Sequence, residues 1–225
     1  MGRIILTIAG PWHKAPDLPA GPLDVEFGPA EPALAEEMAD LAAQNATFEA
    51  PELKALRNHK GVLFVSADVP AEGDLSVARA AADFMRAAFA AGALGAYVET
   101  AVKVFSPSTA AHLAANDATT LFHLFVEIYG EPGRALTEGM QAFGMRDVEV
   151  PFRGPDEAAP AQAAAFALAA RMVCDGVRPS AGHPFRASES APLFRVAEAP
   201  VEPLPEDPEE AVFVNPRGRW RLTRA

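Results

Sequence analysis

Two strand-like runs, TLFHLFVEIY (residues 120–129) and RDVEVPF (146–152), follow one another with no long helix between them. This pair constrains the fold more than any other feature. Successive parallel strands need a crossover of a dozen or more residues, usually a helix. Strands that follow one another without a helix read instead as parts of an antiparallel sheet. The expected fold is therefore α+β: a mostly antiparallel sheet with helices packed on one face. A doubly wound α/β sheet is the alternative, and it needs more crossovers than the chain provides.

The remaining elements fit that class. RIILTIAG is β-branched and ends at Gly10-Pro11, a strand followed by a turn. Residues 11–29 are rich in Pro and Gly, with a short strand at LDVEF. A helix starts at Pro32, with Leu34, Met38 and Leu41 on one stripe. GVLFVSADV (61–69) alternates as a strand does. Asp74 is expected to cap a helix to about Ala91, with Leu75, Ala78, Ala82, Met85 and Phe89 buried. Gly92 and Gly95 stop it before the strand AYVET. Ser106-Pro107 predicts a short helix over 107–115, and Pro155 opens an alanine-rich helix to Cys174. AEAPVEPLPEDPEEA (197–211) reads as an acidic, proline-rich linker or strap. The tail VFVNPRGRWRLTRA holds an edge-strand candidate and the arginines Arg217, Arg219, Arg221 and Arg224, with no acid after Glu210. The organisation expected is one α+β domain over 1–196, then a linker and basic tail over 197–225.

Bulk properties narrow the function. The chain has 225 residues, half of them hydrophobic, enough for a sizeable core. Its formal charge of −11 and pI near 4.9 disfavour nucleic acid and anionic membrane surfaces as partners. The lone Cys174 cannot close an internal disulfide, and the apolar start MGRIILTIAGPW is too short for a signal peptide or a membrane span. A cytoplasmic protein is expected. The nucleotide-binding glycine loops, the common zinc spacings and the G-x-S-x-G elbow are all missing from the sequence, so no cofactor and no metal are expected.

One constellation carries potential chemistry. With period two, Phe122, Leu124, Val126 and Ile128 point one way, and His123, Phe125, Glu127 and Tyr129 the other. In the second run Val148, Val150 and Phe152 oppose Asp147 and Glu149. If the two strands share an apolar side, His123, Glu127, Asp147 and Glu149 converge on the other. An imidazole among carboxylates can bind a divalent cation or do acid–base work. The same residues can equally form a solvated sheet face, or, with Phe125 and Tyr129, a face covered by a partner. Elsewhere, Cys174 reads as a small buried thiol, and Ser106 and Ser108 as helix-start residues. Trp12-His13 is a loop whose indole covers a core edge. His59, His112 and His183 read as structural or solvated.

The stretch Thr137-x-Gly139-Met140-x-x-Phe143-Gly144, followed by an acidic-apolar-acidic strand, resembles a bacterial family catalogued as domain of unknown function 4261. In the same order come PW after the first strand, His59-Lys60 before GVLFVSA, GALGAYVE, VFSPS, FHLFVEIYG and CDGVRPSAG, over roughly residues 3–196. Asp147 stands where the family has Glu. The resemblance implies no defined activity. Some members look like accessory or immunity-type proteins, which implies a non-enzymatic interaction module that binds a protein partner or a second copy. A metal-dependent or hydrolase-like enzyme using the His/carboxylate face is the alternative. From the residues alone, Gly144 before a strand predicts a left-handed turn or a bulge, and Gly139 a close backbone approach.

Overall fold

The structure is a computed structural model that describes residues 1–45, 48–110, 116–200, 205–207 and 211–225. The fold is α+β, with two mostly antiparallel sheets rather than one. Contacts divide the chain into two compact units: Arg3–Asp68 with Leu75–Phe125, and Met1–Gly2 with Val69–Asp74 and Val126–Ala225.

The first unit holds strands β1 (Gly2–Gly10), β2 (Asp24–Pro29), β3 (Gly61–Val69), β4 (Gly95–Val98) and β5 (Lys103–Phe105), in the order β2-β3-β1-β4-β5. Its helices are α1 (Pro32–Asn45), α2 (Ala50–Arg57), α3 (Ser76–Ala90), α4 (Pro107–Ala110) and α5 (Ala118–Phe125). Met38 and Ala42 of α1 and Leu56 of α2 pack with Ala9, Tyr97 and Val104 from the sheet. Helix α3 buries Val77, Ala78, Ala81, Ala82, Phe84, Met85 and Ala88, a wider stripe than expected. It starts at Ser76, with Leu75 in the N-cap position directly after Asp74. His59 is structural: Nε2 accepts from Glu31 N at 2.9 Å, which leaves Nδ1 to donate to Leu56 O at 3.1 Å. Trp12 donates Nε1–H to Ala91 O at 2.9 Å. Ser106 is fully buried, and its hydroxyl accepts from Thr109 N as a helix cap does. His112 and the second half of the helix expected over 107–115 lie outside the described residues.

The strand expected over 120–129 is a correction. Residues 118–125 are α5, and the strand β6 begins only at Glu127 and ends at Glu131. Asp117 Oδ1 accepts from Thr120 N at 2.8 Å and starts the helix. Leu121, Phe122, Leu124 and Phe125 are all buried, at the i, i+1, i+3, i+4 spacing of a helix face. A strand would have put Phe122 and Phe125 on opposite faces.

The second unit is built on β6, β7 (Arg134–Glu138), β8 (Asp147–Pro151), β9 (Pro184–Phe185), β10 (Phe194–Glu198) and β11 (Arg219–Arg224), in the order β6-β7-β8-β11-β10-β9. The 20-residue helix α6 (Pro155–Cys174) packs on β6, β7 and β8. Three expectations change here. The tail strand is not at an edge: β11 lies between β8, with which it is parallel, and β10, with which it is antiparallel. The boundary expected at 196/197 falls inside β10, and residues 201–204 and 208–210 of the expected linker lie outside the described residues. Cys174, at the end of α6, is exposed, not buried.

Candidate functional site

The motif around Thr137 forms one connection of the second sheet. Gly139 (φ 99°) and Gly144 (φ 63°) bracket a 3₁₀ turn over Met140–Phe143. Both sit in the left-handed region, where a side chain is strained. A Cβ on Gly144 would lie 2.6 Å from Ala71 O, so glycine is required here for space as well as conformation. Phe143 O accepts from Gly73 N at 2.8 Å, which ties the turn to the 69–74 segment. The Gly144 expectation of a left-handed turn is met.

Asp147 sits where that turn re-enters the sheet. It was expected on a face that either solvent, a partner or a ligand would meet; instead it is buried. Oδ1 accepts from Thr137 Oγ1 at 3.1 Å and from Met140 N at 3.2 Å. Oδ2 accepts from Asn215 Nδ2 at 2.6 Å. Asn215 also donates to Met145 O at 2.9 Å and accepts from Arg217 N at 3.0 Å. The carboxylate thus clamps the 3₁₀ turn on one side and the entry into β11 on the other. Burial pushes its carboxyl up to about 7. The hydrogen bonds from Asn215, Met140 and Thr137 pull the other way, and the charge of Glu138 adds to the rise.

Glu149 is buried too, for a different reason. Its register partners are Arg221 on β11 and Leu136 on β7. Arg221 Nε donates to its Oε1, and Arg134 Nη1 lies 3.8 Å from its Oε2. Arg134 Nε also donates to Glu131 Oε2 at 2.7 Å. Charges therefore alternate across four strands, Glu131–Arg134–Glu149–Arg221. In the next row Tyr129 donates to Glu138 Oε1 at 2.6 Å; burial, then that bond, pushes its hydroxyl pKa up. The reading of Glu149 as part of a solvated sheet face is corrected. A buried carboxylate must be paired, and the tail arginine pairs it.

The four sequence candidates are divided between the two units. Glu127, Asp147 and Glu149 belong to the second sheet, with Glu127 opposite Glu138 on its edge strand. His123 is on helix α5 of the first unit, where its carbonyl accepts from Lys103 Nζ at 2.7 Å. Among the described residues no group of three or more His, Cys, Asp or Glu side chains is arranged to hold a metal ion. None of their helices is long and apolar enough to cross a membrane. A cleft of about 150 Å³ opens beside the start of α6; Val150, Phe152, Pro160 and Phe194 line it, and the Glu157–Arg224 ion pair (3.2 Å) sits on its rim.

Three groups that pair with or resemble these carboxylates were not singled out from the sequence. Asn215 and Arg221 come from the tail, where the alternation Arg219-Trp220-Arg221-Leu222 was the available signal for a strand with one apolar and one charged face. The third is Glu99, which follows β4 in a 3₁₀ turn over Glu99–Ala101. Thr7 Oγ1 donates to its Oε1. Burial raises its pKa; the Thr7 bond opposes the rise and the charge of Glu37 adds to it. Comparison with protein-family models, curated proteins and solved structures finds no match.

Proposed function

We propose that this chain is a non-enzymatic protein-interaction module of the accessory or immunity-like kind. What supports the reading is how the carboxylates of the second sheet are used. Asp147 takes donors on both oxygens, and Glu149 faces two guanidinium groups. A general base needs a lone pair directed at substrate, and a metal ligand needs oxygens directed at an open position. These carboxylates spend theirs on the turn at 140–143 and on strand β11. Membership of the family that the Thr137–Gly144 motif resembles belongs to the same proposal, and with it a protein partner or a second copy as ligand.

The test sets a binding role against an enzymatic one. Isothermal titration of the purified chain with Zn²⁺ or Mn²⁺ is expected to give no saturable site tighter than about 100 μM, because firm binding needs several converging ligands. In-cell crosslinking with mass spectrometry should return one stoichiometric partner chain, or the chain itself. Saturable metal binding that His123→Ala or Glu127→Gln abolishes would replace this reading with the enzymatic one.

A further inference from the structure

The second sheet ends at β6 on one side and at β9 on the other. Strand β9 is two residues long, which blunts that edge. Strand β6 is five residues long and pairs with β7 in unbroken register, without the Lys, Pro or bulge that commonly blocks an edge. The register tells which of its backbone groups face outward. Two residues separate Glu131 from Arg134, so this pair closes a tight hairpin. Directly opposed residues alternate between bonded and non-bonded pairs. Glu127, Tyr129 and Glu131 therefore bond to β7, and the N–H and C=O groups of Ile128 and Gly130 point away from it. The phase agrees with β8, where Pro151, which has no N–H, stands opposite Arg134 at a non-bonded position. No strand among the described residues pairs with the outer side of β6, and Gly130 is exposed.

The same register sets the charge of this edge. Glu127, Tyr129 and Glu131 share one face, opposite Glu138, Leu136 and Arg134. Glu127 stands directly across from Glu138, a like-charge pairing that costs stability in a sheet. Three carboxylates thus meet one guanidinium, and Arg134 divides itself between Glu131 and Glu149. A second copy added antiparallel, with Ile128 opposite Gly130, would set Glu127 against Glu131 twice. A basic strand meets attraction where that copy meets repulsion. We infer, resting on the interaction reading above, that the outer edge of β6 takes up an extended basic segment of a protein partner as a further strand. The backbone of that segment bonds to Ile128 and Gly130, and Lys or Arg side chains four residues apart stand opposite Glu127 and Glu131.

The full chain is titrated with a blocked peptide of alternating Lys and Thr, and with its counterpart of alternating Glu and Thr, while the amide signals of Ile128 and Gly130 are followed. The Lys peptide is expected to bind saturably, with a Kd below about 1 mM, and to shift both amides; the Glu peptide is not. Gly130→Pro removes one outward N–H at an edge position that tolerates proline, and should weaken this binding at least about tenfold. Glu127→Lys sets a cation opposite Glu138, so it should keep the melting temperature while weakening the Lys peptide at least about tenfold and admitting the Glu peptide. A purely structural role would not exchange the charge preference. No saturation, equal binding of both peptides, or binding that Gly130→Pro leaves unchanged overturns the inference. So does dimerisation that Gly130→Pro abolishes, which assigns the edge to a second copy. In-cell crosslinks to a partner that avoid residues 127–131 overturn it and leave the interaction reading standing, whereas no crosslinked chain at all overturns both.

Discussion

Replacing Asp147 by Asn keeps the shape and removes the charge, and the geometry dictates the cost. If the new amide oxygen takes the Oδ1 position, it still accepts from Thr137 and Met140, and the amide nitrogen meets Asn215 Nδ2, which lies 2.6 Å from Oδ2. Asn215 cannot turn over without losing Met145 O and Arg217 N. With the opposite flip, the nitrogen faces Met140 N and a Thr137 hydroxyl whose oxygen already accepts from Val148 N at 2.8 Å. Either way at least one buried donor is unsatisfied, at about 1–3 kcal/mol. The wild-type carboxyl adds a pH term of known sign. Its folded pKa, about 7, lies above the ordinary 3.8, so between these values the folded state holds more protons than the unfolded state. Stability from this group is fully present below pH 3.8 and is lost as pH rises through 7. Between pH 5.5 and 7 the wild type should lose about 2 kcal/mol from Asp147, and the Asn variant none of it. The destabilisation caused by Asp147→Asn should therefore be largest near pH 5.5 and shrink toward pH 8. Urea unfolding of both proteins at four pH values from 5.5 to 8.5 measures this difference directly, with other titrations cancelling between them. A penalty that stays constant with pH would refute the raised pKa.

Two further perturbations test the same unit. Gly144→Ala adds a left-handed penalty of about 1–2 kcal/mol to a clash of 2.6 Å with a backbone carbonyl, so a loss of at least about 3 kcal/mol is expected, or roughly 6–12 °C in Tm; an unchanged melting curve would show that the 69–74 segment moves freely away. Deleting residues 211–225 removes β11 from between β8 and β10 and strips donors from both Asp147 and Glu149. Loss of cooperative thermal unfolding by circular dichroism is expected, and a truncated chain that melts as the full one does would contradict the interior place of that strand.

What the sequence revealed depended on how far away the deciding contacts lie. Strands β1, β3 and β8 are β-branched with local alternation, so a window of ten residues suffices to find them. Gly144 was legible for a similar reason: a glycine ahead of a strand is a local signal for a left-handed turn or a bulge. The run 120–129 was misread because ten residues rich in Leu and Phe satisfy both a two-fold and a 3.6-fold pattern. Asp117, one residue ahead of the helix, was the local signal that separates them. The carboxylates of β8 posed a harder problem. Asp and Glu are seldom fully buried unless paired, so a period-two Asp-x-Glu reads as a wet face by default. Whether it is wet depends on Arg221 and Asn215, which lie 72 and 68 residues further along the chain. Nothing near residue 147 carries that information.

The same reasoning explains why the tail was taken for an edge. Arg219, Arg221 and Thr223 on one side, with Trp220 and Leu222 on the other, look like a strand with a solvated face. In the sheet that charged side faces Asp147 and Glu149 through the parallel register Arg219↔Asp147 and Arg221↔Glu149. Two segments that each appear amphipathic and half-exposed are therefore complementary halves of one row, in which Asp147 and Glu149 are buried and Arg221 stays partly exposed. An acidic strand and an arginine-bearing strand in one chain are thus better read together than apart. An isolated buried Glu costs several kcal/mol, and so does an isolated buried Arg; the pair side by side removes most of both penalties. That complementarity also fixes the register, because a one-residue slip of β11 would set Trp220 and Leu222 against the carboxylates and turn the arginines toward the apolar side.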